Sequence, residues 1–187
     1  IKSLYNFNLR DVMDPTNRTI DKILKGKISI IQLKYGFRFG FEAVFLAAFV
    51  NGFLLQNKKK DVLLADVGSG VGTISLIIAY KNKKVKVTAI ENNNEYLELA
   101  EENVSNNNLE KQINLLNSDI FNIDKALVNT FDVVVSNPPF YKECQNRSKN
   151  ELENYAKMIT NLEQWINNSV KLLKSKGMIF LIITSEI

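Results

Sequence analysis

The chain has 187 residues, 45% of them apolar, which is the size of one domain with a buried core. It holds one cysteine, Cys144, which excludes an intrachain disulfide, and no histidine, which excludes His-ligated zinc and His-based acid–base catalysis. We therefore expect an intracellular, cytoplasmic and metal-free protein. Residues 1–60 hold 11 basic and 4 acidic side chains, whereas residues 61–187 hold 13 basic and 16 acidic ones. The basic excess of the first part suits a polyanionic partner such as nucleic acid. Alternatively, it reflects a compositional bias of the chain toward Lys and Asn.

The first sixty residues precede the main pattern as a lead-in segment. Residues 19–32, TIDKILKGKISIIQ, predict a small β-hairpin that turns near Gly26, packed against the main sheet. The apolar run that begins at Phe41 predicts a buried helix, because it is shorter than the roughly 20 residues of a membrane span. We therefore expect no membrane span and a single domain, with residues 1–60 as the lead-in segment and 61–187 as its core.

Five short apolar runs predict the strands of that core. Val, Ile and Leu follow one another without alternation, so both faces of each strand should be buried. Helical patterns lie between the runs, and the last of them carries Trp165 on its apolar stripe and ends near Gly177. Alternating strands and helices predict an α/β fold with a mostly parallel, doubly wound sheet. The predicted strands span residues 61–67, 85–90, 113–117, 131–137 and 177–184.

A glycine-rich loop, DVGSGVGT, follows the first predicted strand. Glycines at a strand-to-helix turn let backbone amides and a helix N-terminus approach a ligand closely. Asp66 precedes glycines spaced G-x-G-x-G, whereas a dinucleotide site has G-x-G-x-x-G, so a pyrophosphate site fits less well. The carboxylate of Asp66 would repel phosphate but could receive an ammonium group, directly or through water.

Carboxylates also stand at the ends of the next two strands. Glu91 ends AIEN, where it can accept two ribose hydroxyl hydrogens, and Asp119 lies in NSDIF, where it can accept from an adenine amine. Either side chain alone could instead be solvated in a loop or cap a helix. Together with the glycine loop, at the edge where ligands bind in open α/β sheets, they favour a ligand with ammonium, ribose and adenine parts.

The fourth strand ends in the sequence Asn137-Pro138-Pro139-Phe140. Proline cannot donate to a sheet, so the chain should leave the sheet at Asn137 in a stiff, extended form. The Asn137 side-chain oxygen and the Pro138 carbonyl are two acceptors that can hold both hydrogens of a planar amine and localise its lone pair. Phe140 offers a ring on which a flipped-out base can stack. In the alternative interpretation, the prolines only end a strand and Phe140 belongs to a core.

In this order and at these spacings, DVGSGVG, AIEN, NSDIF and NPPF resemble the class I S-adenosylmethionine-dependent methyltransferases, over roughly residues 40–187. The resemblance implies a Rossmann-like sheet and S-adenosyl-L-methionine as the cofactor. The chain stops before the two further strands that close this family's sheet, which we interpret as a cropped sequence. By the resemblance, the methionine portion is held by residues 66–72, the ribose by Glu91 and the adenine by Asp119. The implied cofactor residues are Asp66, Gly68, Ser69, Gly70, Gly72, Glu91, Asn92, Asp119, Ile120 and Asn137.

The acceptor amine is not decided by NPPF, which occurs in enzymes that methylate adenine in DNA or RNA and glutamine in proteins. The stretch from Leu24 through GFRFGFEAVFLAAFV is similar to bacterial tRNA adenine-N6 methyltransferases that modify the adenosine beside a valine tRNA anticodon, with Glu42 where that family has Asp. Arg38 in this stretch either contacts the cofactor or orders the lead-in segment. We therefore expect a monomer that acts on a flipped-out adenosine of tRNA; the alternatives are a protein glutamine-N5 methyltransferase and a non-catalytic cofactor-binding module.

Overall fold

The computed structural model describes residues 17–35, 38–56, 61–138 and 161–183, and it has a hairpin, one long helix and then alternating strands and helices. The elements are β1 (Arg18–Ile23), β2 (Ile28–Leu33), α1 (Phe41–Gln56), β3 (Val62–Val67), α2 (Thr73–Lys81), β4 (Val85–Glu91), α3 (Asn94–Asn106), β5 (Ile113–Asn117), β6 (Phe131–Ser136), α4 (161–171 within the described residues) and β7 (Leu173–Leu181).

The main sheet has the strand order β5-β4-β3-β6-β7, and every neighbouring pair is parallel. The prediction of a parallel sheet is therefore confirmed. Because β3 is central and the chain moves outward from it in both directions, the strand order reverses beside β3. In open α/β sheets the crevice at the carboxyl ends of the strands at this point is where ligands bind.

Both faces of the sheet are covered, as a doubly wound fold requires. Leu64 of β3 is fully buried in the larger apolar cluster, to which the hairpin, α1, α2 and α3 contribute. Its neighbour Ala65 faces the opposite way and is buried in a smaller cluster with Trp165 and Leu172. Successive strand residues thus enter different clusters, which explains why the strand sequences show no polar alternation.

Helix α1 is only half buried, so the prediction of a buried helix was wrong. Ala43, Ala47 and Val50 lie on the buried face, whereas Phe41 and Phe45 on the other face are 80% and 60% exposed. The two faces are equally apolar, so the sequence could not indicate which of them turns outward. Within the described residues, no helix combines the length and apolarity needed to cross a bilayer.

The last helix ends earlier than the sequence indicated. Gly177 was the predicted end, but α4 ends at residue 171 and Gly177 lies inside β7. β7 first pairs Leu173 with Phe131, and its register then shifts before Met178 pairs with Val133. Lys176 has a φ of +66° within this irregular stretch. The glycine therefore follows a left-handed residue in a bulged strand rather than ending a helix.

The predicted hairpin is confirmed, with β1 and β2 antiparallel and Gly26 in the turn at a φ of +79°. The free edge of β2 is joined to α3 by two asparagines one helical turn apart. Buried Asn103 accepts from the Ile31 amide (2.6 Å) and donates to the carbonyls of Ile31 (2.8 Å) and Val71 (3.0 Å). Asn107 pairs in the same way with both backbone groups of Ser29. These amide side chains take the place of a neighbouring strand.

Replacing Asn103 by alanine is expected to lower the free energy of unfolding by about 3 kcal/mol, because it leaves buried backbone groups of Ile31 and Val71 without partners. Chemical denaturation measures this change. Asn106→Ala is the matched control, because Asn106 is an exposed asparagine on the same helix and its loss should change stability by less than about 0.5 kcal/mol. Equal stability of the two variants would show that the hairpin does not depend on this contact.

Candidate active site

A cavity of about 360 Å³ lies at the carboxyl edge of the sheet, where β3, β4, β5 and β6 end. The structure brings to it side chains or backbone from all four strand ends that the sequence singled out. The predicted residues that line it are Gly68, Gly70, Glu91, Asn92, Asp119, Ile120 and Asn137.

The glycine loop runs from the end of β3 to the start of α2. Gly68 and Gly70 have φ values of +71° and +54°, in the left-handed region that favours glycine. The Gly68 and Ser69 amides both donate to the Ile90 carbonyl (2.9 and 3.0 Å), which fastens the loop to the end of β4. The loop thereby presents its backbone to the cavity at a fixed position.

Glu91 is held in place by backbone amides. The residue is 8% exposed, and its carboxylate accepts from the amides of Gly70 (2.8 Å), Asn92 (3.0 Å) and Asn93 (2.9 Å). A carboxylate has about four acceptor positions, so three bonds orient it and leave capacity for a hydroxyl group in the cavity. The geometry suits the predicted contact with a ribose.

Asp66 lies beneath the loop and is fully buried. Its Oδ2 accepts from the Ser75 amide (3.1 Å) and hydroxyl (2.7 Å), whereas its Oδ1 has no hydrogen-bond partner among the described residues. Burial, with a smaller contribution from the charge of Glu91, outweighs the Ser75 hydrogen bonds and raises the pKa of the carboxyl from 3.8 to about 6. In the part of the chain that the structure describes, no Lys or Arg side chain pairs with this carboxyl group.

Two nearby hydroxyl groups, those of Ser69 and Thr73, are also buried and have no hydrogen-bond partner within the described ranges. Both residues line a smaller cavity of about 30 Å³ beside the glycine loop, and Asn137 lines it as well. Unpaired buried polar atoms are costly and call for an explanation such as a ligand. An amino-acid group fits the smaller cavity, because its carboxylate can accept from the two hydroxyls. Asp66 itself is fully buried and lines neither cavity, so of the two predicted routes from its carboxylate to an ammonium group the one through water fits better. The site therefore suits the methionine end of the implied cofactor.

Asp119 caps a short turn and also lines the larger cavity. It accepts from the Phe121 amide (2.9 Å) and so begins a short 3₁₀ turn, Ile120–Asn122, which is the capping role that the sequence left open. It also lines the larger cavity, next to buried Ile120. The hydrogen bond to one carboxylate oxygen thus orients the side chain, and the residue lines the cavity at the same time.

Asn137 follows the last residue of β6 and lines both cavities. Its neighbour Pro138 is buried. The preceding Ser136 is also buried, and its hydroxyl donates to the Val67 carbonyl of β3 (2.7 Å), which fixes this strand end to the central strand. Pro139 and Phe140 lie outside the described residues.

Arg38 is not among the residues that line either cavity. Its guanidinium donates to the Thr19 hydroxyl (2.8 Å), the Leu33 carbonyl (2.7 Å) and the Asp21 carboxylate (2.8 Å). These contacts order the lead-in segment, so the geometry favours the structural alternative over the predicted cofactor contact. Phe39, which follows it, does reach the smaller cavity.

Four aromatic residues that the sequence did not predict as site residues also line the two cavities. Trp165, Phe121 and Tyr96 line the larger cavity, and Phe39 and Tyr96 the smaller one. Phe39 and Trp165 are far in the sequence from the strand ends, so no local pattern could have assigned them. Phe121 could have been found, because it directly follows Asp119 and Ile120.

Comparison with known proteins gives one family match and a set of similar folds. The family model described as "Methyltransferase small domain" matches residues 48–187. The fold matches the structure described as "T. Thermophilus 16S rRNA N2 G1207 methyltransferase (RsmC) in complex with AdoMet and Guanosine". The TM-score is 0.67 and the identity 19%, over 90% of this chain and 42% of that chain.

Two groups of curated relatives share part of the sequence. A tRNA1(Val) (adenine(37)-N6)-methyltransferase of Haemophilus influenzae is 31% identical over 52% of this chain and 43% of its own length. A release factor glutamine methyltransferase of Streptococcus pneumoniae is 38% identical over 46% of this chain and 29% of its own length. The chain spans about half the length of the tRNA-modifying relatives it matches. It belongs to the methyltransferase small domain family, whose cofactor is S-adenosyl-L-methionine.

Proposed function

We propose that the chain methylates the exocyclic N6 amine of an adenosine in tRNA, beside the anticodon of a valine tRNA. The site residues are assigned as part of this proposal. Asp66, Ser69 and the loop glycines hold the methionine portion of the cofactor, Glu91 with Asn92 the ribose, and Asp119 with Ile120 the adenine. Asn137 and Pro138 hold the acceptor amine, and Phe140, from the sequence alone, stacks on the base.

The observation that carries the proposal is the position of Asn137. It lines both the cavity that contains Glu91 and Asp119 and the smaller cavity beside the unpaired hydroxyls of the glycine loop. The sulfur of S-adenosylmethionine joins its adenosine and amino-acid parts. A side chain that borders both parts is therefore next to the place where the methyl group is transferred.

The chemistry requires a weak nucleophile to be aligned. When bound, S-adenosylmethionine supplies a methyl group on a positively charged sulfur. The Asn137 side-chain oxygen and the Pro138 carbonyl accept the two amine hydrogens and localise the nitrogen lone pair toward the methyl group. The amine proton leaves after transfer, so a histidine base is not needed.

The choice of tRNA is supported by two features of the chain. The hairpin and the start of α1 contain the stretch that resembles tRNA adenine-N6 methyltransferases, and relatives with that description share 28–31% identity. The first sixty residues also carry the basic excess that a polyanion attracts.

A protein glutamine is the second candidate acceptor, since release factor glutamine methyltransferases match 46–58% of this chain at 34–38% identity. A glutamine amide and an adenine amine are both planar and both carry two hydrogens, so Asn137 and Pro138 suit either.

Transfer of labelled methyl groups from S-adenosylmethionine separates these candidates. Unmodified total tRNA, release factor and DNA are offered separately to the same enzyme. We expect label in tRNA, and digestion to nucleosides should locate it in N6-methyladenosine. Label in release factor alone would overturn the tRNA proposal and support the glutamine acceptor.

A further inference from the structure

Trp165 is the only tryptophan of the chain and belongs to α4, an element that contributes none of the predicted site residues. Its side chain is largely buried, at 8% exposure, and it lines the larger cavity. The helical pattern of the sequence explains why this position is apolar. It does not explain why the largest side chain stands here, against the ligand cavity.

The indole ring packs against the segments that follow two of the four strands, β3 and β5. A Cβ atom on Gly68 would lie 2.9 Å from both Cζ2 and Cη2 of Trp165, so the six-membered ring lies directly against the first loop glycine. The Phe121 ring packs edge-on against it, with centroids 5.9 Å apart and an interplanar angle of 69°. Trp165 therefore connects the glycine loop with the turn that follows Asp119.

A short chain of hydrogen bonds fixes the ring. The indole N–H donates to the Ser136 hydroxyl (3.0 Å), which donates in turn to the Val67 carbonyl (2.7 Å). A buried indole usually needs a partner for its N–H group, and this one is held by two neighbouring strands of the sheet. The ring orientation is thus set by the scaffold rather than by packing alone.

The position of the ring indicates which part of a ligand it meets. Trp165 lines the cavity with Glu91, Asp119 and Ile120, and it is not among the residues around the smaller cavity of Ser69 and Thr73. Glu91 and Asp119 suit the polar edges of an adenosine, and an aromatic ring suits its flat or edge surfaces.

We infer that Trp165 contacts the adenosine half of the bound cofactor and that Ser136 is a positioning residue that acts through it. The inference rests on the placement of the cofactor proposed above. It does not depend on which amine accepts the methyl group, so binding measurements without an acceptor test it.

Fluorescence gives a direct test, because all tryptophan emission of this chain comes from one residue. We titrate the protein with S-adenosylhomocysteine, with methylthioadenosine and with methionine, and follow the binding of each by calorimetry. The two adenosine-containing ligands should change the emission saturably, at the concentrations at which they bind. Methionine should leave it unchanged. Bound S-adenosylhomocysteine without an emission change, or a change with methionine alone, would overturn the inference.

Three variants test whether Trp165 contacts the ligand or only packs in the apolar core. Trp165→Phe keeps an apolar ring but loses area and the N–H group, and it should weaken S-adenosylhomocysteine binding about 3- to 10-fold. Ser136→Ala should weaken it about 2- to 5-fold and lower the anisotropy of the indole emission, since the ring loses its anchor. Phe131→Leu is the control, because Phe131 is buried in the same apolar cluster but lines neither cavity.

The control should lower thermal stability while it leaves ligand affinity within about twofold of wild type. If Trp165→Phe binds as tightly as Phe131→Leu, Trp165 only packs and the inference fails. A protein that methylates no tRNA but shows the expected binding pattern would instead overturn the proposed function alone.

Discussion

Replacing Asn137 by alanine is expected to reduce methyl transfer on the order of 10²- to 10³-fold, while cofactor affinity stays within about threefold of wild type. In the proposed function the side-chain oxygen accepts an amine hydrogen during the reaction, and the alanine variant removes this oxygen without changing the backbone carbonyl of Pro138. Single-turnover transfer of labelled methyl groups at saturating cofactor measures the rate. Calorimetry with S-adenosylhomocysteine measures the affinity separately.

Two further variants make the result specific. Asn137→Asp keeps an acceptor oxygen and should retain more activity than the alanine variant. Asn117→Ala is a matched control, because Asn117 also ends a strand of the sheet, is exposed and does not line the larger cavity. It should transfer methyl groups at a rate within about twofold of wild type. Loss of cofactor binding in Asn137→Ala, with activity restored by excess cofactor, would assign Asn137 to the cofactor instead.

The four polar residues at the strand ends of this site could be predicted from the sequence for a simple geometric reason. Asp66, Glu91, Asp119 and Asn137 lie at or just beyond the ends of four buried strands. Parallel strands bring their carboxyl ends to one edge, so the order of elements along the chain was enough to group these residues. Their distances, their burial and the unpaired Oδ1 of Asp66 required the structure.

The remaining contacts depend on packing between segments that are distant in the sequence. Trp165 follows Gly68 by almost a hundred residues, and only the placement of α4 on the sheet brings the two together. The contact between Asn103 and the hairpin could not be predicted, for a similar reason. An asparagine in the middle of a helix predicts solvent exposure, yet here it pairs with β2 of the hairpin. Local patterns carry no signal of such partners.

Asp66 makes the stability of the unliganded protein depend on pH. Its pKa is raised in the folded state, to about 6 from 3.8, chiefly by burial. A raised pKa means that the folded state binds the proton more tightly than the unfolded state. The stabilising contribution is therefore present below about pH 4 and is lost as pH rises through 6.

The difference in unfolding free energy between wild type and Asp66→Asn should accordingly change by about 2 kcal/mol between pH 4.5 and pH 7.5, to the disadvantage of wild type at the higher pH. Denaturation of both proteins at several pH values without cofactor measures it. A constant difference would mean that the buried carboxyl group titrates normally.

Cofactor binding should show the opposite dependence on pH. In the proposed function the ionised carboxylate of Asp66 is the form that attracts the ammonium group of the cofactor. With a pKa of about 6, only about a tenth of the molecules carry this charge at pH 5. The affinity of wild type for S-adenosylhomocysteine should therefore rise about tenfold from pH 5 to pH 7, because binding is weakened by the fraction of molecules in the competent form.

Asp66→Asn should bind about 10- to 100-fold more weakly at pH 7 and lose most of this dependence, since it has no charge to gain. Asp132→Asn is the matched control, because Asp132 is also a strand aspartate but contacts Lys174 and the Leu63 amide away from both cavities. It should retain the tenfold rise. A flat profile in wild type, or an unchanged rise in Asp66→Asn, would show that the ammonium group is held elsewhere. The raised pKa and the unpaired Oδ1 of Asp66 would then need a different explanation from the one given by the cofactor.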